Sequence, residues 1–196
     1  MKTGIWLAIG AGALSACGTP PEVDRKFLTG SEARKGVVVF STTHTGEYRY
    51  KLSGALSFTC DSGVKGQVDD DYALVRYIDG ERPSIPVGNP TLRPEHPMGR
   101  IHMLELPAGN CVFNLYRASA SGMNTTTTLN ARPFLIPFTV PDGGVAYVGN
   151  YNMEWLPGGG RRSFNDYYDR DLAALKTQNA SPSGPVEKRI GAPTGL

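Results

Sequence analysis

Alternating hydrophobicity between residues 48 and 60 is the feature that most constrains the fold of this chain. Every second residue of this segment is apolar or glycine, and the positions between them carry Arg49, Lys51 and small or hydroxyl-bearing side chains. Successive side chains of a β-strand point to opposite faces of its sheet, so the pattern predicts an antiparallel strand with one buried and one wet face. The members of the buried set are Leu52, Gly54, Leu56, Phe58 and Cys60.

Other segments carry similar strand patterns. Residues 37–40 form a short β-branched apolar run, which is typical of a strand buried on both faces. In the last long segment we expect Val145, Tyr147, Tyr151, Met153 and Trp155 to share one face. The remaining candidate strands are 72–78, 101–106, 111–116 and 134–140.

Turn chemistry separates these segments. Gly, Pro, Asn and Asp cluster at 61–63, 79–80, 107–110 and 141–144, and these residue types favour tight turns. Many short strands with such punctuation predict an all-β fold, and we expect an antiparallel β-sandwich of about seven strands with one short C-terminal helix.

Composition restricts the function classes. The chain has 196 residues, a formal net charge of +2 and 40% hydrophobic residues. This length suits one sizeable core, and the apolar fraction is too high for a wholly disordered chain. The small net charge argues against a nucleic-acid partner, because such proteins carry a strong basic excess.

The helix is expected near the end of the domain. Asp169 is a candidate cap and Asp171 suits the positive N-terminal end, while Leu172 and Leu175 would pack on the sandwich. We therefore predict a β-sandwich domain over 36–178. Residues 179–196 are rich in Gly and Pro without apolar periodicity, which predicts a disordered tail.

Two long loops interrupt the strand pattern, at 79–98 and 119–132. Loops of this length are uncommon in compact domains and are often functional, so both are candidate binding segments. The second contains Thr125, Thr126, Thr127 and Thr128. Because Thr favours extended structure, this run is open to a second interpretation as a polar edge strand.

The N-terminal residues predict an export signal. Lys2 is followed by an apolar run that is about half as long as the roughly 20 residues of a membrane-spanning helix. Leu14-Ser15-Ala16-Cys17 resembles the lipobox of bacterial lipoproteins. The resemblance implies a signal peptide over 1–16, a lipid on Cys17 and a tether over 17–35. An ordinary signal cut near Ala16, which leaves Cys17 unmodified, is the alternative.

The resemblance to lipoproteins also predicts where in the cell envelope the protein lies. In the lipoproteins of enteric bacteria an Asp after the lipidated Cys resembles an inner-membrane retention signal, and this chain has Gly18 there. We therefore expect the periplasmic face of the outer membrane, with the membrane reached through the lipid anchor.

Cys60 and Cys111 each lie on the apolar face of a predicted strand. In an oxidising compartment two nearby inward thiols form a disulfide, which is our prediction. Two buried free thiols, or a redox or metal pair, are the alternatives, although the chain has no Cys-x-x-Cys spacing.

Three short motifs resemble those of known proteins. Residues 106–113, Leu-Pro-Ala-Gly-Asn-Cys-Val-Phe, resemble the strand-turn-strand signature of transthyretin-like or carboxypeptidase-regulatory-like β-sandwiches, with Cys111 where a Tyr is usual. Residues 147–150 and 169–176 are similar to segments of uncharacterised bacterial lipoproteins with that sandwich. The resemblance covers about 36–178 and implies a fold and an envelope location, and it brings no catalytic residues.

The remaining chemistry-bearing residues are sparse. His44 lies in a predicted turn, and His96 and His102 are six residues apart without a metal-ligand motif. The Asp run at 69–71 predicts a solvated turn, with a Ca²⁺ site as the alternative. Arg161 and Arg162 follow three glycines in a predicted flexible loop, and they are candidate contacts for a lipid phosphate or an anionic polymer.

These observations predict a lipid-anchored envelope β-sandwich that serves as a non-enzymatic binding or structural module, without a cofactor or metal. We expect its partner to be another envelope protein. The alternatives are an envelope hydrolase with a scattered catalytic triad or a metal site, and an accessory lipoprotein of a secretion machine.

Overall fold

Two β-sheets and one helix make up the part of the chain that the computed structural model describes, which is residues 34–47, 51–71, 78, 91–92, 97–121, 126–129, 133–157 and 159–195. The prediction of an all-β sandwich with one short C-terminal helix is confirmed. In chain order the elements are β1 (Lys35–Glu47), β2 (Lys51–Cys60), β3 (Lys65–Asp71), β4 (Thr91–Leu92), β5 (Met98–Pro107), β6 (Gly109–Ser121), β7 (Thr126–Leu129), β8 (Ile136–Val140), β9 (Val145–Leu156), β10 (Gly159–Asn165), α1 (Tyr168–Thr177) and β11 (Val186–Lys188).

Sheet 1 is built around β1, which lies between β9 and β5. Strand β9 also pairs with β10 and with β11, and β4 pairs with the far end of β1. Sheet 2 has the order β3-β2-β6, and β6 pairs on its other side with β7 and β8. The sequence interpretation was wrong in two respects, because eleven strands are described rather than about seven, and β9 runs parallel to both β1 and β11. Alternation reports the faces of a strand and carries no information about its direction, so the parallel pairings were hidden.

The core lies between the two sheets. Phe113 on β6 stacks on Phe138 of β8 with ring centroids 4.4 Å apart, and it contacts Phe40 of β1 at 4.9 Å. Trp155 of β9 is fully buried in the same cluster. The predicted inward face of β2 is confirmed for Leu56, Phe58 and Cys60.

A second apolar cluster covers one half of the outer face of sheet 1. Leu175 of α1 is fully buried there against Val39, and Leu172 packs at its margin, as predicted. The predicted cap is wrong, because α1 is preceded by Tyr167 without a side-chain cap and Asp169 lies inside the first turn.

A bulge in β9 reverses which residues face the core. Val39 pairs with Tyr147 but Phe40 pairs with Gly149, so one extra residue of β9 is accommodated between them. Tyr147 therefore packs in the outer cluster, whereas Tyr151 packs between the sheets. The expectation that 145–155 keeps a single phase is wrong for this reason.

Gly149 makes the bulge possible. Its φ is +121°, and a Cβ at this position would lie 2.3 Å from the ring of Phe164. Both the backbone angle and the close ring exclude other residues without rearrangement.

The described C-terminal residues, 179–195, are ordered, which contradicts the predicted disordered tail over 179–196. Strand β11 pairs with the part of β9 that β10 leaves open, and Arg189 N donates to Tyr147 O at 2.8 Å. Farther on, Thr194 and Leu135 exchange backbone hydrogen bonds of 2.8 and 2.9 Å. The open edge of β9 offers backbone partners that composition cannot reveal, and the sandwich unit extends beyond residue 178.

Three local predictions have definite outcomes. Thr126–Leu129 forms β7 and pairs with β6, so the edge-strand interpretation of the Thr run is confirmed. The Asp run is the end of β3 rather than a turn. The disulfide between Cys60 and Cys111 is present, and it joins directly paired residues of β2 and β6.

Several predicted features lie outside the described residues. They are residues 1–33, including Cys17 and the signal segment, residues 72–77 of the strand predicted at 72–78, most of the 79–98 loop, and His96.

Candidate functional site

Half of the outer face of sheet 1 is polar rather than apolar. Along β1 the outward positions change from Val37 and Val39 to Ser41, Thr43 and Thr45. The last three are nonetheless buried. Hydroxyl-bearing side chains can occupy such positions only if hydrogen bonds satisfy them, because an unpaired buried polar group costs about 1–3 kcal/mol.

Two asparagines of β9 supply these hydrogen bonds. Asn150 Nδ2 donates to Ser41 Oγ at 2.7 Å and to Thr43 Oγ1 at 3.0 Å. One step along the strands, Thr43 Oγ1 donates to Asn152 Oδ1 at 2.9 Å, and Asn152 Nδ2 donates to Thr45 Oγ1 at 2.9 Å. Parallel pairing of β1 with β9 sets Ser41 opposite Asn150 and Thr43 opposite Asn152. This row of side-chain hydrogen bonds, which we call the asparagine ladder, therefore follows from the register of the two strands.

Asp171 of α1 closes the inner end of this ladder. Its carboxylate is fully buried and accepts hydrogen bonds from Ser41 Oγ at 2.5 Å and from Tyr147 OH at 2.7 Å. Arg170 donates to the other carboxylate oxygen through Nε at 2.9 Å and Nη2 at 2.7 Å. Burial raises the pKa of Asp171 above its ordinary value, and the positive charge of Arg170 opposes that rise. Burial, followed by the charge of Asp171, also raises the pKa of Tyr147.

At the outer end the ladder opens into a pocket, which we call the arginine pocket. It has a volume of about 300 Å³, and its lining combines β1, β9 and β10 with the residues around the start of α1. Its lining includes the side chains of Asn152, Glu154, Arg161, Asn165, Tyr167 and Arg170.

The polar side chains of the pocket are held in place by their neighbours. Arg161 donates to Glu154 Oε2 through Nε at 2.9 Å and Nη2 at 2.5 Å. The guanidinium of Arg170 lies 4.0 Å from the centre of the Tyr167 ring, an arrangement in which a cation is attracted to the ring face. Asn165 Nδ2 donates to Ser163 Oγ at 3.0 Å. The geometry of the pocket is therefore largely set in the absence of a ligand.

Arg161 and Arg162, which the sequence singled out, both line this pocket. They belong to β10 rather than to a flexible loop. Arg161 pairs with Glu154 on the outer face, whereas Arg162 is paired with Met153, and its guanidinium carbon lies 5.8 Å from the centre of the Phe134 ring. The two adjacent arginines thus have different surroundings.

His44 and His102 lie on the opposite face of sheet 1. His44 is in the middle of a strand and buried, so its assignment to a turn was wrong. Its Nδ1 accepts a hydrogen bond from Trp155 Nε1 at 3.0 Å. His102 Nε2 and Thr42 Oγ1 share a hydrogen bond of 2.7 Å. Among the described residues no three His, Cys, Asp or Glu side chains come together in a way that could hold a metal ion.

Composition misled the interpretation of residues 41–45, because five consecutive polar residues resemble a turn. The signal that could have revealed the ladder is alternation of polar types, Ser-x-Thr-x-Thr in β1 and Asn-x-Asn in β9. Each pattern has the period of a strand. Their mutual register is a tertiary property, so the sequence could have indicated polar strands but not a shared site.

The comparisons with known proteins are sparse. The chain matches no protein-family model and no curated protein sequence. Among solved structures it is similar to a leucine-rich repeat protein from Bacteroides thetaiotaomicron, with 18% identity and a TM-score of 0.36 over 66% of this chain. It is also similar to a structure described as a trapped toxin, with 12% identity and a TM-score of 0.23 over 68% of this chain. The matches span 15% and 23% of those two chains, and at these TM-scores they carry no argument about fold or function.

The described helix, α1, has ten residues. Within the described part of the chain no helix combines the length and the hydropathy needed to cross a membrane.

Proposed function

We propose that this protein is a lipid-anchored β-sandwich of the bacterial cell envelope that serves as a non-enzymatic binding module. The observation that carries the binding role is the arginine pocket, an open cavity of about 300 Å³ whose polar walls are pre-positioned by hydrogen bonds. Ligand sites are concave, largely preformed and oriented by a few fixed polar groups, and this cavity has those properties.

Two features support the envelope location. The segment that ends Leu14-Ser15-Ala16-Cys17 resembles a lipobox, and the disulfide between Cys60 and Cys111 suits an oxidising compartment. The outer membrane remains the proposed site, and the 79–98 and 119–132 segments remain the proposed contacts with another envelope protein.

The chemistry of the pocket favours binding over catalysis. Acyl or glycosyl transfer requires a nucleophile or acid close to a base. The described lining offers arginines, amides, hydroxyls and the single carboxylate Glu154, which is already paired with Arg161. An envelope hydrolase with a scattered triad or a metal site, and an accessory role in a secretion machine, remain the alternative proposals.

Acylation of Cys17 is the test of the anchor. We expect mass spectrometry of the membrane-extracted protein to give a mature chain that begins at Cys17 and carries acyl chains. A Cys17→Ala variant should lose the acyl mass and leave the membrane fraction, whereas Ser15→Ala, which keeps the cysteine, should behave as the wild type. A mature wild-type chain without lipid would overturn the anchor.

Crosslinking in intact membranes tests the partner. We expect one envelope protein to be captured by the wild type and lost from a variant that lacks residues 81–97. Capture of the same protein by that variant would contradict the assignment of the 79–98 loop.

A further inference from the structure

Hydrogen-bonding chemistry defines what the arginine pocket can hold. Its lining presents donors on Arg161 and Arg170, an acceptor on Glu154, and both kinds of group on the amides of Asn152 and Asn165. A ligand that matches such a surface carries several hydroxyl groups, because a hydroxyl both donates and accepts. An apolar ligand would leave these groups desolvated without partners.

The charge of the lining adds a second requirement. Arg161 and Arg170 present guanidinium groups beside the single carboxylate of Glu154, so these side chains carry a formal charge of +1. The guanidinium of Arg162 lies instead near the Phe134 ring, on the core side of sheet 1. The carboxylate that balances Arg170, that of Asp171, is fully buried and lies outside the lining. Guanidinium groups form charge-assisted hydrogen bonds, so this lining favours an anionic group on the ligand.

Neighbouring side chains also position the two arginines that face the ligand. Two hydrogen bonds hold Arg161 on Glu154, and the carboxylate of Asp171 together with the ring of Tyr167 holds Arg170. A pre-positioned guanidinium loses little conformational freedom on binding, and its planar fork suits a carboxylate or a phosphate. Tyr167 adds an aromatic edge to an otherwise polar wall.

We propose that the arginine pocket binds a single sugar unit that carries a carboxylate or phosphate group. The volume of about 300 Å³ lies at the small end of ligand pockets, which fits one sugar ring rather than a longer chain. The sugar hydroxyls contact the amides and Glu154, and the anionic group contacts the arginines. This inference rests on the binding role proposed above and deepens it by naming the ligand class.

The test is a titration of the full-length protein with four small probes, in which two-dimensional NMR and calorimetry measure binding. The probes are glucuronic acid, glucose 6-phosphate, glucose and inorganic phosphate. We expect both anionic sugars to bind and to shift the Asn152 and Asn165 side-chain amide signals. Glucose and inorganic phosphate should each bind at least about tenfold more weakly, since each lacks one half of the recognition.

Matched charge variants locate the site. Arg161→Gln should weaken binding of the anionic sugars by about tenfold or more, because a charge-assisted hydrogen bond is lost. Arg189→Gln removes the same charge from an exposed pair with Glu187 outside the pocket lining, and it should leave the affinity unchanged. Thermal unfolding of both variants shows whether each is folded.

Three outcomes would overturn the inference. Equal binding of glucose would remove the anionic requirement, equal binding of inorganic phosphate would remove the sugar requirement, and no binding of any probe would remove the ligand class. The acylation and crosslinking experiments have separate readouts, so failure of the sugar titration and failure of the proposed anchor are distinguishable.

Discussion

The disulfide gives the sharpest stability prediction. Cys60 and Cys111 face each other across paired strands of sheet 2 and are 51 residues apart in the chain. The cross-link reduces the number of conformations open to the unfolded chain. In the chain-entropy model, closing a loop of this size raises the free energy of unfolding by about 4 kcal/mol. A domain of ordinary stability has roughly 5–15 kcal/mol in total, so this is a large share.

The expected magnitude separates into two parts. Reduction of the wild type removes the cross-link and keeps both sulfur atoms in the core, so it should lower the free energy of unfolding by about 4 kcal/mol. The Cys60→Ala/Cys111→Ala variant should lose about the same amount plus a smaller packing contribution, because both residues are buried.

Urea denaturation followed by tryptophan fluorescence measures both values, since Trp155 is fully buried in the core. The reduced wild type and the double variant should then have similar midpoints, well below that of the oxidised protein. A loss of less than about 1 kcal/mol on reduction would refute the chain-entropy reasoning for this loop.

Three further predictions concern single residues. Gly149→Ala should lower the free energy of unfolding, measured by urea denaturation, by roughly 2–5 kcal/mol, because it adds backbone strain and a clash with Phe164. Gly143→Ala is the control, because Gly143 has a φ of +70° and open space around it, so this variant should show the backbone strain alone. Arg189→Pro removes the backbone donor to Tyr147 O and should lower the free energy of unfolding by about 1–3 kcal/mol. Arg189→Ala keeps that donor and should lower it much less, and equal losses would contradict a role for β11. The pKa of Asp171 is raised in the folded state, so its contribution to stability is fully present below the unfolded pKa of about 4 and is lost as the pH rises through the folded pKa. The free energy of unfolding of the wild type should therefore exceed that of Asp171→Asn by less at neutral pH than at acid pH. A difference that grows with pH would refute this sign.

The polar face shows why the candidate site was only partly predictable. Arg161 and Arg162 were found from sequence because charged residues beside glycines stand out, and both line the pocket. Asn150 and Asp171 were not recognised as parts of one network, because their partners lie in β1, more than 100 residues earlier in the chain. Ser41 illustrates the difference, since its surroundings depend entirely on which strand becomes its neighbour.

The sequence by itself determined the local and pairwise features of this protein. Alternating side chains placed β2 and its core face, and turn residues marked the breaks at 61–63, 107–110 and 141–144. Leu172 and Leu175 placed α1, and two inward cysteines predicted their disulfide. These follow from interactions between residues that are close in the chain or share one periodic pattern.

Tertiary structure alone decided the rest. The bulge at Gly149 reversed the phase of β9, which put Tyr147 against α1 and Tyr151 in the core between the sheets. The parallel register of β1 with β9 assembled the asparagine ladder. The open edge of β9 ordered the C-terminal segment. In each case a backbone or polar group required a partner distant in sequence, and only the folded chain determines which partner is within reach.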